Sequence, residues 1–92
     1  MKAKSKINKA LGRVIVKLRK ERNQSQEDLA WAIESDPKYM SDVELGKRNV
    51  SLNFADRIAK AFDMSLYNLF VLIENEMKGY NDETKNQSKD IP

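Results

Sequence analysis

Residues 25–46 read Ser25-Gln26-Glu27-Asp28-Leu29-Ala30-Trp31-Ala32-Ile33-Glu34-Ser35-Asp36-Pro37-Lys38-Tyr39-Met40-Ser41-Asp42-Val43-Glu44-Leu45-Gly46, and the spacing of start and stop signals within them decides the fold. Ser25 is an N-cap residue whose hydroxyl can accept from backbone amides two or three positions on. Glu27 and Asp28 then favour the positive end of a helix dipole, while Leu29, Ala30 and Ile33 form an inward stripe, predicting a helix from Gln26 to Ile33. A second start follows at once. Asp36 is a good N-cap and Pro37 suits a first helical position, where its missing N–H costs nothing. Gly46 supplies the stop, so a second helix spans residues 36–45. Only a tight turn around Glu34 and Ser35 separates the two.

Working outward, Ile7, Leu11, Val14, Ile15 and Leu18 recur at helical spacing and predict a helix over roughly residues 6–22, ending at Asn23, a residue tolerant of the left-handed conformation. Ser51 can cap a helix through Phe62 with Leu52, Ala55, Ile58 and Ala59 on one side. Ser65 can cap another, whose Leu66, Tyr67, Leu69, Phe70, Val71, Leu72, Ile73 and Met77 form an apolar surface too wide for a single stripe. The fold expected is all-α: five helices, with the second and third forming a helix-turn-helix. The division expected is a flexible basic leader at 1–6, a helix-turn-helix domain ending in this apolar helix at 7–78, and a disordered polar tail at 79–92.

Composition removes most chemistry. Without cysteine or histidine the chain has no disulfides, thiol nucleophiles, histidine-based triads or zinc ligand sets, and Ser, Lys and carboxylates show no nucleophile–base pairing. Neither an enzyme nor a cofactor is expected. No stretch approaches the roughly 20 apolar residues of a membrane span, and no apolar run follows the basic N-terminus, so a cytoplasmic protein without a membrane partner is expected. Charge is uneven. Residues 1–22 carry nine Lys or Arg against Glu21 alone, giving +8, and with a net charge of +3 the remaining 70 residues sum to −5. A basic segment on a mildly acidic body suits a polyanion, although a solvated charged helix with a leader reads the same way.

The order of residues resembles the Cro and phage-repressor type of helix-turn-helix, also called the xenobiotic-response-element family. The resemblance lies in Leu11-Gly12 with Ile15, Leu18 and Arg19, in Ser25 to Ala30, and in Tyr39-Met40-Ser41. It continues through Val43 to Asn49, Ile58 to Ala61 and Leu69-Phe70, covering about residues 7–70. Small size and the apolar last helix look most like controller proteins of restriction–modification systems. Four positions depart from the pattern: Glu34 for the usual turn glycine, Ser35 and Gln24 for apolar residues, and Val50 for a common proline. Glu34 implies either strain at positive φ or a reshaped turn with Ile33 filling the core.

The resemblance implies a regulator, repressors included, whose third helix enters the major groove of double-stranded DNA. With Met40, Val43 and Glu44 inward, the outward line is Lys38, Asp42 and Leu45, flanked by Tyr39 and Ser41. Lys38 can donate to guanine, Asp42 can accept from cytosine N4, and Leu45 or Tyr39 can meet a thymine methyl. Each is otherwise a solvated side chain. Gln26 matches a family phosphate clamp, with Lys47, Arg48 and Asn49 as a second. Arg19 and Glu44 match a structural ion pair between the first and third helices. A homodimer on a two-fold-related operator is expected, through Leu72 and Met77 and next through Leu69, unless these pack on helices one and four. No small-molecule effector is evident. The competing functions are a protein-interaction module and the antitoxin of a toxin–antitoxin pair. Trp31 points away from the Leu29 stripe and reads as cover for the core's edge.

Overall fold

The computed structural model describes the backbone of residues 5–89 and the side chains of residues 5–79. Its elements are five helices, α1 (Lys6–Glu21), α2 (Gln26–Ala32), α3 (Pro37–Glu44), α4 (Leu52–Ala61) and α5 (Leu66–Lys89), with no strand among the described residues. Serines start four of them. The hydroxyls of Ser5, Ser25, Ser51 and Ser65 each accept from the amide three residues on, and at Ser25 the Asp28 carboxylate returns a bond to the cap amide. Helix α3 differs: Asp36 makes no side-chain cap bond and Pro37 alone sets the start.

The first four helices stop in one way. The amide two residues beyond each cap returns to the carbonyl five residues back: Gln24 to Arg19, Ser35 to Ala30, Lys47 to Asp42 and Met64 to Ala59. This closure needs a left-handed residue, supplied by Asn23, Glu34, Gly46 and Asp63. At Glu34 both sequence-level alternatives hold together, since φ is +57° and Ile33 is buried in the core. Holding a non-glycine residue there costs about 1–2 kcal/mol.

The core gathers one stripe from every helix, including Leu11, Ile15, Leu29, Met40, Val43, Ile58, Phe62, Leu69 and Ile73. Two glycines let α1 and α3 approach. A Cβ on Gly12 would strike the carbonyl oxygen of Glu44, and one on Gly46 would lie 3.1 Å from Cα of Lys9. The Leu11-Gly12 pair is therefore a packing requirement.

Three expectations need correction. Leu69 is completely buried against the protomer's own core, so it is not available to a second copy, while Leu72 and Met77 are half-buried on that core. Trp31 is 64% exposed and lies outside the core cluster. Helix α5 also runs through Gly79 to Lys89, so the boundary expected there is not an element boundary. Residues 1–4 of the leader and 90–92 of the tail, with the side chains from Tyr80 onward, lie outside the described residues. No described helix is long and apolar enough to cross a membrane.

Candidate nucleic-acid interface

Helix α3 presents two unlike faces. Met40 and Val43 are buried, and Lys38 and Leu45 are exposed, as the helical wheel requires. Ser41 is half-buried between them. Asp42, expected on the outward line, has a side chain only 14% exposed and is paired with Arg48. Tyr39 is also half-buried, its ring meeting Phe54 of α4 edge-on at a centroid distance of 5.2 Å. The outward line therefore reduces to Lys38 and Leu45, with Asp42 turned to its flank.

Behind α3 lies a connected set of polar groups. The guanidinium of Arg19 on α1 donates to both oxygens of Glu44, from Nε at 2.7 Å and Nη2 at 2.9 Å, and its Nη1 donates to the Gln24 carbonyl at 2.9 Å. Gln26, at the start of α2, donates from Nε2 to Glu44 Oε1 at 2.9 Å. One carboxylate thus holds three helices. Its consequence is geometric: the first residue of α2 is fixed relative to the end of α3, which sets the angle between the two. The pair is nearly dry, with side-chain exposures of 13% for Arg19 and 6% for Glu44.

The loop after α3 carries Lys47, Arg48 and Asn49, all exposed. Asn49 accepts from the Asn8 amide of α1, so this segment is held at both of its neighbours. Arg48 donates from Nε and Nη2 to Asp42 Oδ2 at 3.3 and 3.2 Å and lies 5.7 Å from the Tyr39 ring centroid. Asp42 and Arg48, placed by sequence on different DNA contacts, are one unit.

The basic charge is distributed differently from the count along the chain. Of the nine cations in residues 1–22, Arg13 and Lys17 are tied to Glu76, Arg19 to Glu44 and Arg22 to Asp63. Lys6, Lys9 and Lys20 are exposed. The +8 of the segment therefore overstates what it can offer a polyanion. Two arginines missed by the sequence reading close helix ends: Arg57 donates to the Ile33 carbonyl and Arg22 to that of Ala61, where cations complement the helix dipole. No sequence signal marks them, because each reaches across from another helix.

The wide apolar surface of α5 is divided between core and solvent. Phe70 and Tyr67 are 42% and 74% exposed, and Ile7 of α1 and Leu52 of α4 are 52% and 69% exposed. Ile7, Leu52 and Phe70 line one groove with the buried Leu11, Ala55 and Ile73 at its floor. No group of histidine, cysteine or carboxylate side chains suited to a metal ion occurs among the described residues.

The helix-turn-helix family matches residues 15–69. The control protein C.MunI of Mycoplasma sp is 44% identical over 66 residues, covering 71% of this chain and 89% of that protein. The control protein C.BamHI of Bacillus amyloliquefaciens is 49% identical over 39 residues, covering 42% of this chain and 48% of that protein. Among solved structures, the restriction–modification controller protein C.Esp1396I, as a tetramer in complex with its natural 35 base-pair operator, superposes with a TM-score of 0.71. It is 30% identical, covering 79% of this chain and 96% of that one. The clp gene regulator ClgR from Corynebacterium glutamicum shares the fold at a TM-score of 0.78 and 20% identity, covering 92% of this chain and 90% of its own. The chain belongs to the Cro and phage-repressor type of the helix-turn-helix family, and is a DNA-binding regulator of the controller-protein kind rather than an enzyme.

Proposed function

We propose that the protein binds a two-fold-related operator as a homodimer, with α3 in the major groove and Lys38 and Leu45 at base edges. The observation that carries this is the arrangement around α3. Its exposed line lies between the α2 start that carries Gln26 and the loop that carries Lys47 and Arg48, and the Arg19–Glu44–Gln26 bonds fix Gln26 relative to the end of α3. Donors placed on both sides of a reading helix suit the two phosphate backbones bordering one major groove. The C.Esp1396I structure, a tetramer in complex with its operator, supports operator binding by more than one copy.

One reading helix covers few base pairs, so specificity calls for a second copy. The groove lined by Ile7, Leu52 and Phe70 is the apolar surface the core leaves exposed beside α5, and it replaces Leu69 as the interface candidate. The test is selection from a randomised double-stranded DNA pool, followed by sedimentation of the protein alone and with the selected duplex. The expected result is a motif of two related halves centred roughly one helical turn, about 34–36 Å, apart. Phe70→Glu should give a folded monomer with weak binding. A selection returning no motif overturns the DNA reading, and a dimeric Phe70→Glu protein overturns the interface.

A further inference from the structure

We infer that Asp42 acts as a positioning residue, holding Arg48 in a fixed pose against α3, and does not itself read a base; this rests on the DNA-binding reading above. Arg48 sits on the non-helical segment that follows Gly46, where a long side chain would ordinarily sample many rotamers. Here it is held from two directions. The Nε and Nη2 edge of its guanidinium meets Oδ2 of Asp42, and its plane lies near the face of Tyr39. Both supports come from α3, three residues apart and so on the same face one turn from each other. Tyr39 is itself braced edge-on by Phe54.

The chemistry separates the two partners. Asp42 is mostly covered and its Oδ2 is engaged, whereas Arg48 is 53% exposed and its Nη1 side makes no bond among the described residues. A guanidinium gripped along one edge presents the other, which suits an incoming phosphate oxygen. Asp42 also loses its liability in the pair. A lone carboxylate on a reading helix repels the duplex, but its charge is offset by the arginine it holds. Because phosphate contacts fix the register of a reading helix, loss of this pose should blur preference across the whole half-site. A base contact would instead affect a single pair.

Full-length protein, Asp42→Asn, Arg48→Ala and the double variant would each be titrated against the duplex selected by the unsubstituted protein and against a scrambled duplex, with thermal melts alongside. Asp42→Asn should lower the ratio of the two affinities by about fivefold to tenfold, although it removes a negative charge, and reselection should return a motif weakened at every position. In the Arg48→Ala background the same change should have no further effect. If Asp42→Asn melts early, Arg48→Lys carries the test: it keeps the charge, loses the planar fork, and should lower the ratio with little change in salt dependence. Preference relaxed at one base pair only, with additive single effects, would overturn the inference in favour of direct reading by Asp42. So would an unchanged ratio. Failure of the underlying DNA reading is separately visible, because the unsubstituted protein would then select no motif.

Discussion

Two carboxylates tie helix α1 to α3 and to α5, and the two regions differ in how much water surrounds the same chemistry. Glu44 on α3 receives Arg19 through a bidentate pair and Gln26 through a third bond, with both charged side chains almost fully covered. Glu76 on α5 receives Arg13 at 2.8 Å and Lys17 at 2.6 Å, but those cations are 41% and 65% exposed. Distances alone would rank the two equal. Burial separates them, because a charge that water can reach is re-solvated when its partner leaves, while a covered one is stranded. The Glu44 cluster also joins three helices and sets the reading geometry, whereas Glu76 only holds α5 against α1.

The largest expected effect tests that stranding. Glu44→Ala should destabilise the fold by about 3–5 kcal/mol in denaturant unfolding, because Arg19 keeps its charge and loses its partner. It should also weaken binding to the selected duplex, since Gln26 is released at the same time. A loss near 1 kcal/mol would place Glu44 in the same class as Glu76 and remove the distinction. The double change Arg19→Met with Glu44→Leu sharpens it, since replacing both charges by apolar groups should restore most of the lost stability, to within about 1–2 kcal/mol of the parent. DNA binding should stay weak in that variant, separating fold stability from the positioning of Gln26.

Glu76→Ala should cost less, about 0.5–1 kcal/mol, and should leave affinity for the selected duplex unchanged. Raising the salt concentration should shrink this cost while scarcely altering that of Glu44→Ala, because exposed pairs are screened and covered ones are not. An equal salt response would show that the Glu44 cluster is wetter than its burial indicates.

The smallest effect is in pH. The bond from Lys17, opposed by partial burial and helped by the bond from Arg13, holds the Glu76 carboxyl below its ordinary value of 4.5. A carboxyl depressed in the folded state binds its proton more readily when unfolded, so its contribution is fully present above the unfolded value. It is lost as pH falls through the folded one. Glu76→Gln should therefore be less stable than the parent at neutral pH by the whole of this contribution and converge with it as pH falls below about 4.5, flattening the acid side of the stability profile. An unaltered acid limb would remove Glu76 from the account.

Much of this molecule was legible along the chain because the decisive physics is local. Serine caps, the Pro37 start, the left-handed Asn23 and Gly46 and the apolar periodicity all act within a few residues, so the limits of the first four helices, unlike the end of α5, follow closely from neighbours. The family pattern extended that reach to Arg19 with Glu44, two residues 25 apart that no local rule would join. Glu34 was visible as an anomaly, and only the backbone shows that the chain accepts positive φ there and still buries Ile33.

What tertiary structure alone decided concerns partners and roll. The sequence counts nine cations near the N-terminus, but which of them meet an acid depends on where α3, α4 and α5 cross α1. The same holds for Leu69 and Phe70, adjacent in sequence, one fully buried and the other 42% exposed. A helix rotation of about 100°, one residue's step, would exchange them, and the roll is set by the fit of α5 across α1 and α4. Asp42 and Arg48 lie on different elements, so their pairing waits on the path of the loop beyond Gly46. Hydrogen bonds within one turn are written in the order of residues, while ion pairs and exposed faces are settled by the packing of whole helices.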